Sequence, residues 1–150
     1  MAGTYTNLLY HIVFSTKQRR QLITQAIEQD LYSYIGGIIR NLKGVQLEIG
    51  GATDHLHILA KFKPILSLSD AVRDIKANSS KWLNERKARI YKFGWQDGFA
   101  AFTVSESQVP RVGGYIRSQK NRHKRMSFQE ELIELLRKNR VEYDERYLWD

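Results

Sequence analysis

"VQLEIGGATDHLHILAKF", residues 45–62, holds two strand-like runs, the first of them "VQLEIGG" (45–51), parted by a short polar stretch. In the first run Val45, Leu47 and Ile49 alternate with polar neighbours, the period of a half-buried strand. The second run, "HLHILAKF" (55–62), is more densely apolar, and together the two predict an antiparallel hairpin. A strand sends alternate side chains to opposite faces, so His55 and His57 share one face while Leu56 and Ile58 take the other. Two histidines so placed are half of a metal site. They are equally what a strand with polar residues on an open face looks like.

The elements around this hairpin decide the fold. Upstream, Leu22, Ala26, Leu31, Ile35, Ile38, Ile39 and Leu42 recur at helical spacing, with "LKG" as a stop signal and Gly36 and Gly37 as weak points. Before them, "TYTNLLYHIVFS" (4–15) is rich in aromatic and β-branched residues without clean alternation, which predicts a central strand buried on both faces. Downstream, Ser67 and Asp70 form a helix start signal ahead of Leu68, Ala71, Val72, Ile75, Ser79, Trp82 and Leu83. "FGWQDGFAAFTVS" (93–105) then predicts a fourth strand, entered through a turn near Asp97 and Gly98. Strand, helix, strand, strand, helix, strand is the order of a ferredoxin-like (RRM-like) α+β fold, an antiparallel sheet with helices packed on one face. A third helix is predicted from about Gln108 through Tyr115 to about Lys124. Ser127 and Glu130 form a capping box for a last helix, so a C-terminal helix and tail occupy about 127–150.

The chain of 150 residues suits one domain, 1–150. Its 42% hydrophobic and 27% charged residues are ordinary for a soluble globular protein, and its apolar runs fall short of the roughly 20 residues that span a bilayer. It has no cysteine, which excludes disulfides, zinc-thiolate sites and cysteine nucleophiles. With no signal segment ahead of the first strand, a cytoplasmic location is expected, nucleoid-associated when DNA is bound. The net charge of +8 points to an acidic partner, most often nucleic acid. Charge concentrates in "KQRR" (17–20) and "RSQKNRHKR" (117–125), so Lys17, Arg19, Arg20, Arg117, Lys120, Arg122, His123, Lys124 and Arg125 are candidate DNA contacts, joined by Lys76 on the second helix.

On the third helix Tyr115 and Gln119 are four residues apart and share a face. Alone this spacing says little. Combined with His-x-His on a strand, on a basic chain of this size and element order, it becomes specific. The sequence resembles the single-tyrosine HUH transposases of small insertion sequences that move as single-stranded DNA, the superfamily that includes the REP-associated tyrosine transposases. The likeness runs almost end to end, through "HIVFSTKQRR", "DHLHIL", "LSDAVRDIKANSSKWLNE", "WQDGFAAFTVSES", "YIRSQ" and "SFQEELIELLRKNRVEYDERYLWD". Many relatives carry two adjacent histidines after the glutamine, where this chain has Arg122 and His123.

The resemblance implies Tyr115 as nucleophile and His55, His57 and Gln119 as ligands of a divalent metal, Mg2+ or Mn2+. It also implies cleavage and rejoining through a 5′-phosphotyrosine, single-stranded DNA with hairpin ends as substrate, and a homodimer. Tyrosine, with a reference pKa of about 10, needs such activation to attack a phosphodiester. An all-neutral ligand set predicts weak metal affinity in the free protein, the DNA phosphate supplying the negative charge. Asp54, on the strand face opposite His55, is expected to be structural. Gly113 and Gly114 read either as a joint that lets the Tyr115 helix dock on its own or a partner's strand, or as a simple interruption of the helix. Three other readings stand beside this one: a non-catalytic single-stranded nucleic-acid-binding module, a water-activating nuclease, and a domesticated relative that cleaves repeats. The nuclease would need a carboxylate cluster that the sequence does not display.

Overall fold

Pairing from both sides makes β1 (Leu8–Ser15) the inner strand that its aromatic, β-branched sequence predicts. In this computed structural model, which describes residues 3–86 and 92–149, β1 runs antiparallel to β3 (His55–Phe62) from Leu8↔Phe62 to Ser15↔His55. Its other edge pairs with the short β4 (Ala100–Thr103). The predicted hairpin forms from β2 (Val45–Gly51) and β3, giving the antiparallel order β2-β3-β1-β4. This is the ferredoxin-like arrangement.

Helices α1 (Gln25–Asn41) and α2 (Leu68–Asn84) cover one face. Ser67 caps α2 by accepting from the Asp70 amide, worth about 1 kcal/mol. Ile12, Phe14, Leu56, Ile58, Ala60 and Phe62 face these helices and build the main core with Leu31, Ile35, Ile39, Val72, Ile75 and Leu83. The alternate residues of β1 and β3 face the other way, and the C-terminal helices cover them. α3 (Val109–Arg117) lays Val112 and Ile116 over Leu59. α5 (Phe128–Lys138), opened by the predicted Ser127–Glu130 capping box, sets Phe128, Leu132 and Leu136 on Val13 and Phe102. His11, His55 and His57 lie in this second layer, each under 9% exposed.

Two local readings change. The third helix is not continuous: it breaks at Ser118 (φ −89°, ψ 11°), and α4 (Gln119–Arg122) follows. Gly113 and Gly114 lie inside α3 and do not interrupt it. The first strand of the hairpin keeps its predicted bounds, 45–51, and the turn lies at 52–54. A Cβ on Gly50 would stand 2.5 Å from the Ile116 carbonyl oxygen, so the missing side chain is what lets α3 descend onto the sheet. Among the described residues, no helix is long and apolar enough to cross a membrane.

Candidate functional site

Both sequence-predicted histidines turn their Nε2 atoms toward one point beneath α5. The backing of each ring fixes that orientation. His55 Nδ1 meets Asp54 Oδ1 at 2.7 Å, and His57 Nδ1 meets Nε2 of His11 at 2.8 Å. Asp54 therefore does not point away from His55 as strand alternation predicts: it lies in the turn before β3, where that alternation has not begun. His11 was not singled out in the sequence because "LLYHIVFS" reads as uninterrupted core. Its ring also meets Tyr115 edge-on, with centroids 6.0 Å apart.

The break at Ser118 still leaves Tyr115 and Gln119 on the same side. Gln119, 1% exposed, accepts from His55 Nε2 at 2.9 Å. The group that joins these residues is Glu131 of α5, likewise 1% exposed. Its Oε1 accepts from His57 Nε2 at 3.1 Å and His123 Nε2 at 2.9 Å, with His55 Nε2 at 3.5 Å. Its Oε2 accepts from Gln119 Nε2 at 2.8 Å and from the Tyr115 hydroxyl. Ligand atoms of His55, His57 and Glu131 all lie within 4.8 Å of one another, so the cluster can hold a metal ion. A carboxylate therefore stands beside the expected donors His55, His57 and Gln119. One signal could have found Glu131. In "FQEELIELL" it falls beside Phe128 and Leu132 on the buried stripe, unlike Glu130 and Glu134.

Burial and charge oppose each other in this cluster. Burial raises the Glu131 carboxyl, but hydrogen bonds from His123, His55 and His57 outweigh it and hold the group well below the usual carboxylate range. Burial raises the Tyr115 phenol, and the Glu131 charge adds to that rise. Burial lowers His57 despite its bond to Glu131, and lowers His11 to about 3 with help from His57. At His55 burial is overcome by the bonds to Asp54, Glu131 and Gln119, which raise its pKa to about 9.

A pH dependence follows for the metal-free chain. A folded pKa raised from 6.5 to about 9 contributes stability that is complete below about pH 6.5 and lost as pH rises through about 9. Lys76, lowered by burial to about 8, restores some stability only above pH 8. The melting temperature in chelator should therefore fall between pH 6.5 and 8, and His55→Asn should flatten that fall. Identical slopes in the two proteins would show His55 to be uncharged.

The remaining basic candidates divide. Arg117 pairs with Glu48 at 2.6 Å, and Lys120 with Glu28 at 2.8 Å, tying α3 and α4 to β2 and α1. The Arg122 guanidinium lies 4.4 Å from the centre of the Tyr115 ring, and Arg19 stacks on Trp149. His123 turns inward onto Gln119 and Glu131 and does not face solvent as a DNA contact would. Lys76 donates to the carbonyl oxygens of Gln96, Asp97 and Gly98, a strut for the approach to β4. Lys17, Arg20, Lys124 and Arg125 are exposed and form no ion pair among the described residues.

Comparison with known proteins adds an independent finding. The profile of the family described as "Transposase IS200 like" matches residues 4–119. The transposase for insertion sequence element IS200 of Salmonella typhimurium is 33% identical over 129 residues, covering 79% of this chain and 81% of that protein. ISDra2 transposase TnpA of Deinococcus radiodurans is 24% identical over 124 residues, 78% of this chain and 87% of that protein. Two solved structures share the fold. A chain from Deinococcus radiodurans R1 aligns with TM-score 0.63 at 21% identity, covering 79% of this chain and 95% of that one. A REP-associated tyrosine transposase bound to a REP hairpin aligns with TM-score 0.62 at 15% identity, covering 82% and 73%.

Proposed function

The chain belongs to the IS200-like transposase family, and on that premise we propose that it cuts and rejoins single-stranded DNA through a 5′-phosphotyrosine formed on Tyr115. One observation carries the assignment: the half-buried Tyr115 hydroxyl meets the cluster of His55, His57, Gln119 and Glu131 in one place. A binding module needs no such convergence. Attack by the Tyr115 oxygen releases a DNA 3′-hydroxyl and leaves the downstream 5′-phosphate on the enzyme. Because the linkage remains a phosphodiester, a second 3′-hydroxyl can reverse it and join strands without ATP. A domesticated, repeat-cleaving relative would share this chemistry.

Metal dependence is part of the proposal. The donors on offer are two imidazole Nε2 atoms, the Glu131 carboxylate and the Gln119 amide oxygen. This mixture suits Mn2+ better than Mg2+, which prefers oxygen alone. A bound cation would polarise the scissile phosphate and stabilise the departing 3′-oxygen. Asp54 and His11 keep both Nε2 atoms aimed inward. Asp54→Asn or His11→Gln should each weaken Mn2+ binding by about 10- to 100-fold, read by titration calorimetry. Unchanged affinity in both would mean that these backing bonds do not orient the ligands.

The partner that fits is single-stranded DNA with hairpin ends, held by the exposed cations Lys17, Arg20, Lys124 and Arg125, with binding that weakens as salt rises. Excising an element cuts two ends, which calls for two copies of a one-tyrosine chain and supports a homodimer. The test of the reading is incubation with 3′-end-labelled single-stranded DNA carrying a hairpin end. A denaturation-resistant protein–DNA adduct that a chelator prevents is expected. Cleavage that leaves no labelled protein would point to water as nucleophile and overturn it.

A further inference from the structure

The two oxygens of Glu131 face different groups. Oε1 is turned to the three histidines, whereas Oε2 receives the hydroxyl proton of the proposed nucleophile. A metal ligand alone would not need the second contact. The half-buried Tyr115 hydroxyl is held where a base could take its proton, against a carboxylate that is itself only 1% exposed. The ring is fixed from other sides as well, by Arg122 over one face and the edges of His11 and His57.

We infer that Glu131 is a catalytic residue of the strand transfer, the general base that takes the Tyr115 proton. As the bond from the tyrosine oxygen to phosphorus forms and the bond from phosphorus to the 3′-oxygen breaks, the phenol proton passes to Glu131 Oε2. The departing 3′-oxygen takes a proton from water. In the joining direction the incoming 3′-hydroxyl gives its proton to water as its oxygen bonds to phosphorus, and the proton on Glu131 returns to the departing tyrosine oxygen. The carboxylate thus serves both half-reactions, as reversibility requires of one group at one place. Oε1 remains turned to the histidines throughout, so ligation and proton transfer divide between the two oxygens. Gln119 Nε2, 2.8 Å from Oε2, holds that oxygen toward the tyrosine.

The inference rests on the tyrosine reading above, and its test separates the two. Glu131→Gln keeps the shape of the side chain and loses its basicity. At saturating Mn2+, single-turnover cleavage should fall by about 10²- to 10⁴-fold, with single-stranded DNA binding retained. Glu131→Asp, which keeps a carboxylate, should recover part of the loss, and melting curves of both variants confirm folding. The decisive arm replaces Tyr115 with a difluorotyrosine, whose more acidic phenol depends less on a base. The deficit of Glu131→Gln should then shrink at least tenfold. Mn2+ affinity, measured without DNA, reports any ligand role separately. Wild-type rates for Glu131→Gln at saturating Mn2+ would reduce Glu131 to a ligand. Faster cleavage would make it a shield over the nucleophile. An undiminished deficit with difluorotyrosine would make it a positioning group. Each of these outcomes overturns the inference while the covalent adduct of the wild-type protein stands, whereas absence of that adduct removes the tyrosine reading itself.

Discussion

Tyr115→Phe should bind single-stranded DNA with nearly unchanged affinity and form no covalent adduct. The substitution removes one oxygen and leaves the ring, whose packing against His11, His57 and Arg122 does not involve the hydroxyl. The lost hydrogen bond to Glu131 costs about 1 kcal/mol of stability, small for a chain with a core of this size. Its effect on chemistry is far larger. A residue that supplies the reacting atom has no partial substitute, and cleavage should fall by at least about 10⁴-fold. Fluorescence anisotropy with a labelled hairpin oligonucleotide reads binding, and a denaturing gel reads the adduct. A Phe variant that still carries labelled DNA through denaturation would assign the nucleophile elsewhere.

The residues that decide the fold are those whose periodicity is local. The hairpin of residues 45–62 could be read because strand alternation needs only near neighbours, and the same alternation put His55 and His57 on one face. What covers that face could not be read so. Its cover comes from helices that begin more than fifty residues later in the chain, and pattern alone does not say on which side of a sheet a later helix will lie. Tyr115 and Gln119 entered through resemblance, since Tyr-x-x-x-Gln is uninformative on its own. Glu131 was missed for a physical reason. A lone carboxylate in a helix rich in glutamate reads as solvated surface, and only partners as distant as His57 make it cheaper to bury than to expose. His11 illustrates the converse, because a histidine inside an apolar run can be a satisfied core residue or a ligand's support. Here only its bond to His57 separates the two.

A mixture of Tyr115→Phe chains with His57→Ala chains should stay inactive. His57→Ala removes a donor that no neighbour replaces and leaves Glu131 Oε1 one partner short, so that variant alone should lose metal binding and cleavage together. Mixing restores activity only if the tyrosine of one chain reaches the histidines of another. The structure sets Tyr115 within its own chain's site, its ring centre 5.7 Å from that of His57. Three attachments hold it there. Arg117 pairs with Glu48, Lys120 pairs with Glu28, and the Ile116 carbonyl rests where only glycine at position 50 admits it. Exchange between subunits would break all three and draw the tyrosine out of its contact with Glu131. The glycines at 113 and 114, continuous with the helix, offer no joint for that movement. A dimer is compatible with this arrangement: it would hold two complete sites, one for each end of an element, rather than two shared ones. Recovery of cleavage in the mixture, at concentrations where sedimentation detects a dimer, would show that the α3–α4 arm is exchanged when DNA is bound.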